Sequence, residues 1–321
     1  MTTEHATTVT VDNFKRVETD TMIDRMLPII GGVGVFHHDR ALAPLEEQPV
    51  IRQNRDTLYS VAIADLGAGP VTLTIPDVGE RYISVMVINQ DHYINQVFHN
   101  AGAHELTLDE FDTRYLIVAA RVLFDPASAS DLDAVHAIQD QLTLTSPAGQ
   151  EFTHAPYDPV SHKQIRDALL VLSNTMGGFV GSFGAKEAVD PVHHLVGTAA
   201  GWGGLPDAEA AYINVTPHLP VGRYTMTFRD VPADAFWSVS VYNDAGYFEP
   251  GPTGITNINS VFAVPDDDGS TTVHLGDQDV ANSIPLPEGW NLLIRLYRPR
   301  LDELATWRTP KILPAGPVTA A

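Results

Sequence analysis

The densest run of side chains able to do chemistry is Asp91-His92-Tyr93, preceded by Asn89, in the segment NQDHY. An imidazole titrates near neutrality and a neighbouring carboxylate can orient it, so this pair suits general acid–base work or metal ligation. The plainer reading is a hairpin turn with a solvent-facing histidine. A second run, NRDTLYS, covers Asn54 to Ser60. If Thr57 to Ala64 is a strand, alternation sends Thr57, Tyr59 and Val61 to one face and Leu58, Ser60 and Ala62 to the other. Asp56 and Tyr59 then offer a carboxylate and a phenol with Asn54 and Arg55 beside them. The competing reading is an aspartate capping a turn with Arg55 as its ion-pair partner.

His193 and His194 follow a helix start, and neighbours on a helix point about 100° apart. One of the two faces a site while the other packs or meets solvent. His37 and His38, followed by Asp39, pose the same problem in a loop after Gly31-Gly32-Val33-Gly34. No cofactor is expected. A divalent metal could be assembled from His38, Asp56, His92 and His194, but no HExxH, HxH or short ligand spacing supports it. Asp266-Asp267-Asp268-Gly269 reads as a tight turn, because it lacks the alternating ligands of a calcium loop. No GxxxxGK[ST] or GxSxG occurs, which removes P-loop and nucleophile-elbow chemistry. The chain has no cysteine, so disulfides, thiolate nucleophiles and Cys-ligated metals are excluded.

These groups need elements to hold them. Phe14, Val17, Ile23, Met26, Leu27 and Ile30 recur at helical spacing behind Asp12 or Asn13, and Gly31-Gly32 stops the run. Strand texture then covers Thr57 to Ala64, Val71 to Ile75, Tyr82 to Ile88 and Tyr115 to Leu123. Three helices are expected: Ser130 to Leu142, Ser161 to Leu172, and Asp190 to about Ala200, the last with a cap-plus-proline start at Asp190-Pro191. Strands return over Tyr224 to Phe228, Phe236 to Tyr242, Thr271 to Leu275 and Asn291 to Tyr297. The boundaries are a β-rich domain over 1–128, a helical connecting region over 129–205 and a β-sandwich domain over 206–321.

The two β regions read as copies. Thr72 to Tyr93 aligns with Thr225 to Tyr247 if one residue is inserted, matching Asp77 with Asp230, Tyr82 with Phe236, Ser84 with Ser238, Asn89 with Asn243 and Tyr93 with Tyr247. Each copy has a late strand, RYLIVAARVL from Arg114 and NLLIRLYRPR from Asn291. The fold class expected is mainly β, with two duplicated sandwich or jelly-roll-like halves, an N-terminal helix and about three connecting helices.

The segments NRDTLYS, NQDHY, VDPVHHLVGTAAGWGG, FWSVSVYNDAGYF and GWNLLIRLYRPR resemble the paired domain-of-unknown-function families numbered 1254 (N-terminal) and 1214 (C-terminal), over nearly the whole chain. The resemblance implies a sandwich-like C-terminal half and a mixed, β-rich N-terminal half. It implies little chemistry.

Composition narrows the partners. A net charge of −21 repels phosphate backbones and anionic lipid surfaces, so neither nucleic acid nor membrane is expected. The start, MTTEHATTVTVDNF, has no basic-then-apolar pattern and reads as cytoplasmic. Sheet edges that need covering point to a homo-oligomer. The first functional reading is a hydrolase or lyase on a small organic molecule, with Asp56, His92 and Tyr59 catalytic and Asn54, Arg55, Asp91, Tyr93, His194 and Trp202 binding substrate. The alternative is a non-catalytic ligand-binding or structural sandwich protein. Aromatic runs around Trp202, Trp237, Tyr242 and Tyr247 line a pocket on the first reading and pack a core on the second.

Overall fold

A computed structural model describes residues 6–48, 50–147, 151–249, 251–276 and 279–315. The chain divides into two units, one of residues 1–40 and 57–207, the other of residues 41–56 and 208–321.

The first unit opens with α1 (Phe14–Ile30) and β1 (Phe36–His38), then runs through β2 (Thr57–Asp65), β3 (Val71–Ile75), β4 (Ile83–Asn89), β5 (Ile94–Phe98), β6 (Gly102–Leu106), α2 (Leu108–Phe111) and β7 (Tyr115–Leu123). It closes with α3 (Ala129–Gln139), β8 (Thr143–Thr145), α4 (Pro159–Ser173) and α5 (Pro191–Ala200). The second unit holds β9 (Ala210–Val215), β10 (Tyr224–Phe228), β11 (Ala233–Tyr242), β12 (Asn257–Asn259), β13 (Thr271–Leu275), β14 (Ser283–Ile284), β15 (Asn291–Pro299), α6 (Leu301–Leu304) and β16 (Leu313–Pro314). The expected helices and strands are all present. The helical stretch expected as a separate connector over 129–205 instead belongs to the first unit, and residues 41–56 belong to the second. Apolar packing explains the first difference: Leu169 of α4 and Val196 and Ala199 of α5 share a core with Phe14 and Val17 of α1.

The duplication is visible as topology. The first unit pairs β2-β7-β4-β5 in one sheet, with β1 added at the edge, and β6-β3-β8 in another. The second pairs β9-β15-β11-β12 and β13-β10-β16, with β14 added beside β13. Strand for strand the order is the same. In the second unit the alternating apolar residues Trp237, Val239 and Val241 of β11 and Leu292, Ile294 and Leu296 of β15 meet Met226, Phe228, Val273 and Leu275 of the facing sheet in one core. The intervening residues therefore point to the outer face of the β9-β15-β11-β12 sheet.

Register fixes the match further. Ser84 lies opposite Arg121 as Ser238 lies opposite Arg295, and Tyr59 lies opposite Arg121 as Tyr212 lies opposite Arg295. The loop after the central strand is also shared. Asn89 Oδ1 accepts from the Asp91 and Tyr93 amides at 3.0 and 2.9 Å, and Asn243 Oδ1 accepts from Ala245 and Tyr247 at 3.1 and 3.0 Å. Each turn places its fourth residue in the left-handed region, His92 at φ 65° and Gly246 at φ 85°. Glycine adopts that conformation without strain, whereas histidine does so at a cost.

Asn89 also donates to the Phe111 carbonyl at 2.9 Å in a buried setting, while Asn243 donates to the exposed Glu249. At about 1 kcal/mol per hydrogen bond, Asn89→Ala should lower unfolding free energy by about 3 kcal/mol and Asn243→Ala by about 2 kcal/mol or less. Urea denaturation of the two variants checks the order.

Candidate functional site

The first unit gathers a cluster of aromatic and imidazole side chains at the Asn89 turn. Tyr93, His194, His92 and Trp202 stack in that order, with ring centroids 4.5, 5.5 and 5.5 Å apart, and Phe183 meets His92 edge-on at 5.8 Å. Asp190 caps α5 by accepting from the Val192 and His193 amides, and Pro191 occupies its first turn. That start sets the helix so that His194 and Thr198, four residues apart, face inward together while His193 is exposed. Gly197 and Gly204 let the chain around Phe183 come close: a Cβ on Gly197 would sit 2.8 Å from Ser182 Cβ, and one on Gly204 would sit 2.3 Å from the Phe183 ring.

His92 is fully buried and both ring nitrogens are engaged, Nδ1 with Thr198 Oγ1 at 2.9 Å and Nε2 with the Gly203 amide at 2.9 Å. Because the amide can only donate, Nε2 is the acceptor and the proton sits on Nδ1. Burial, helped by His194 and Lys15, pushes the His92 pKa well below its ordinary value. His194 is buried too, with Nδ1 2.9 Å from the Ser182 carbonyl and Nε2 3.2 Å from the Asp91 carbonyl, and burial lowers its pKa. The flanking polar groups are paired: Arg16 holds Asp91 at 2.8 and 2.9 Å, Lys15 donates to the Tyr93 hydroxyl at 2.8 Å, and the Trp202 indole donates to Thr19 at 3.2 Å. The Gly203 carbonyl accepts from Arg121 at 3.3 Å, and Arg121 lies over the Tyr59 ring at 5.1 Å. One turn, Gly201 to Gly204, is thus tied to His92 on one side and Arg121 on the other.

The second unit uses Asp56 differently. Its carboxylate is buried and accepts from Ser238 at 2.6 Å, Asn257 at 2.8 Å and Tyr297 at 3.3 Å. Burial pushes its pKa up, against the opposing pull of Arg295 and those three donors. Arg295, buried on the same strand face, donates to Ser240 and Tyr242 at 2.8 Å and to the Arg52 carbonyl at 2.7 Å. Burial works against its charge, but the Tyr242 and Tyr297 phenols and Asp56 outweigh that and hold its pKa up. Asn54 caps the Asp56 amide at 2.9 Å, and Arg55 donates to the Ala43 carbonyl at 2.8 Å and lies 5.7 Å from the Phe248 ring centre.

The structure brings His92, Tyr93, Asp91, His194 and Trp202 together in the first unit and puts Asn54, Arg55 and Asp56 in the second. Of the residues expected to be catalytic, Asp56 is engaged by Ser238, Asn257 and Tyr297, and His92 by Thr198 and Gly203. Arg55 is not the ion-pair partner of Asp56; its guanidinium is turned to Ala43 and Phe248. His38 bonds Ser60 at 2.8 Å at the sheet edge. The four-residue metal set does not assemble: among the described residues no group of three or more His, Asp or Glu is placed to hold a metal ion. The sequence assigns Arg121, Ser84, Thr198 and Gly203 no site role, although Ser84 matches Ser238 in the repeat. An arginine inside an otherwise apolar strand, repeated in both late strands, was the available signal.

Residues 33–108 match the family model described as Protein of unknown function (DUF1254), and residues 217–301 match Protein of unknown function (DUF1214). A crystallised protein from Vibrio parahaemolyticus shares the fold at TM-score 0.73 and 16% identity, covering 95% of this chain and 98% of the other. An uncharacterized protein from Burkholderia cenocepacia is similar at TM-score 0.53 and 15% identity, covering 95% and 87%. No curated protein matches the sequence. Among the described residues no helix is long and apolar enough to cross a membrane.

Two measurements test these environments. His92 and His194 have folded-state pKa values below the unfolded one, so their contribution to stability is full above about pH 6.5 and is lost as pH falls toward the folded values. Unfolding free energy should therefore fall between pH 6.5 and 5, and His92→Gln should flatten the fall by up to about 1.4 kcal/mol per pH unit. Asp56→Ala should cost about 3–5 kcal/mol by leaving Arg295 buried without its carboxylate, and added acetate should raise the variant's melting temperature more than the wild type's.

Proposed function

We propose that this chain, which carries a DUF1254 segment followed by a DUF1214 segment, is a non-catalytic small-molecule-binding protein of the cytoplasm. The ligand would be held in the first unit, on the outer face of the sheet that carries Tyr59 and Arg121, under the Gly201–Gly204 turn. The observation that carries this reading is the linked set Thr198–His92–Gly203–Arg121, in which a buried histidine spends both nitrogens fixing the turn. A residue so committed and held neutral positions a site well and shuttles protons poorly. Its left-handed backbone fits the same role, because strain of this kind persists where the surroundings over-determine a position.

The hydrolase or lyase reading needs an acid and a base facing one substrate, and the partners that engage Asp56 and His92 lend it no support. The binding reading draws instead on the aromatic and cationic groups beside the turn, which suit a small organic molecule with a polar end. A net charge of −21 disfavours nucleic acid as the ligand.

Thermal-shift titration with acetate, benzoate, benzamide, glucose and indole tests this. At least one compound should raise the melting temperature saturably in the wild type and by less in Trp202→Ala. No shift with any of them, or hydrolysis of p-nitrophenyl acetate that vanishes in His92→Ala, would overturn the binding reading.

A further inference from the structure

The duplication makes the second unit a reference for the first. On the outer face of the second unit's sheet, Ser238 lies opposite Arg295, and a carboxylate, that of Asp56, is seated on the Ser238 hydroxyl at 2.6 Å with the Arg295 charge favouring its ionised form. At the same register in the first unit Ser84 lies opposite Arg121. Both are buried, at 0% and 7% exposure, and the Ser84 hydroxyl makes no hydrogen bond among the described residues. A buried hydroxyl without a partner is a costly arrangement that calls for one.

Resting on the binding function proposed above, we infer that Ser84 and Arg121 form a carboxylate-binding site, the counterpart of the place that Asp56 fills in the second unit. The serine hydroxyl donates to the ligand carboxylate, and the guanidinium, steadied by the Gly203 carbonyl and the Tyr59 ring, supplies the favourable charge. The rest of the face says what the carboxylate is attached to. Where the second unit places Ser240, Asn257 and Tyr297, the shared register puts Met86, Val97 and Leu123. Two of the donors that hold Asp56 thus give way to apolar side chains. The ligand class is a monocarboxylate with an apolar body, in contrast to a sugar or a polycarboxylate.

Isothermal titration of the full chain with benzoate and with benzamide, its uncharged counterpart, tests the inference. Benzoate should bind and benzamide should bind at least tenfold more weakly, as expected for loss of a charged hydrogen-bonding end (about tenfold per 1.4 kcal/mol). Ser84→Ala should weaken benzoate by about tenfold, and Arg121→Gln should abolish its binding. Ser283→Ala, which removes another buried hydroxyl with no partner among the described residues, should leave it unchanged. If Arg121→Gln does not fold, Ser84→Ala decides alone. Equal binding of benzamide overturns the carboxylate assignment while leaving the binding function standing. So does benzoate affinity indifferent to Ser84→Ala, which would mean that a water molecule alone satisfies the hydroxyl. Failure of benzoate to bind at all overturns the inference, and the wider compound panel then decides the function separately.

Discussion

The hydrogen bond from the Gly203 amide to His92 Nε2 is the contact on which the first unit's site depends. It demands an unprotonated Nε2, which demands a buried and neutral ring, which demands a turn that drives residue 92 inward. Asn89 meets that demand by taking two amides of its own turn on one side-chain oxygen. The left-handed conformation at His92 follows from this geometry. Remove any one of these and the Gly201–Gly204 turn loses its anchor on the His92 side.

The second unit shows what the same architecture does without the histidine. Its turn repeats the Asn-centred bonding, but Gly246 stands where His92 stands and places no ring. Polar chemistry moves to the outer face of the sheet, where Asp56, Arg295, Tyr242 and Tyr297 satisfy one another. A buried arginine is retained at the same register in both copies. Its surroundings have diverged: internal carboxylate and donors in one, aromatic stack and apolar neighbours in the other. A duplicated sandwich can specialise in this way because each strand's alternate residues keep the core while the others are free to change.

Much of the fold was legible in the residues. Period-two alternation marked the long strands, the Asp190-Pro191 cap marked the start of α5, and matched loop polar residues, Asn89 with Asn243 and Tyr93 with Tyr247, exposed the duplication. The site was half legible. His92, His194 and Trp202 stood out by type, and the 100° helical argument allowed only one of His193 and His194 to face inward. Ser84 matched Ser238 along the chain and each late strand carries an arginine, Arg121 and Arg295, but nothing in the residues alone joined the serine to the arginine until register set them opposite one another.

The sequence by itself determined the mainly β class, the two copies, the absence of thiol and P-loop chemistry, and the turn that carries His92. These rest on local patterns and on residue types that are present or absent. Tertiary structure decided partnership. It assigned Asp56 to Ser238 and Asn257, about two hundred residues downstream, and His92 to Thr198 and Gly203, more than a hundred residues on. No local pattern encodes such distances; burial does, because a polar group removed from water must find its hydrogen bonds wherever the packed chain supplies them. The Asp91-His92 motif, whose residue types suit acid–base work, is in the folded chain a clamp on a turn.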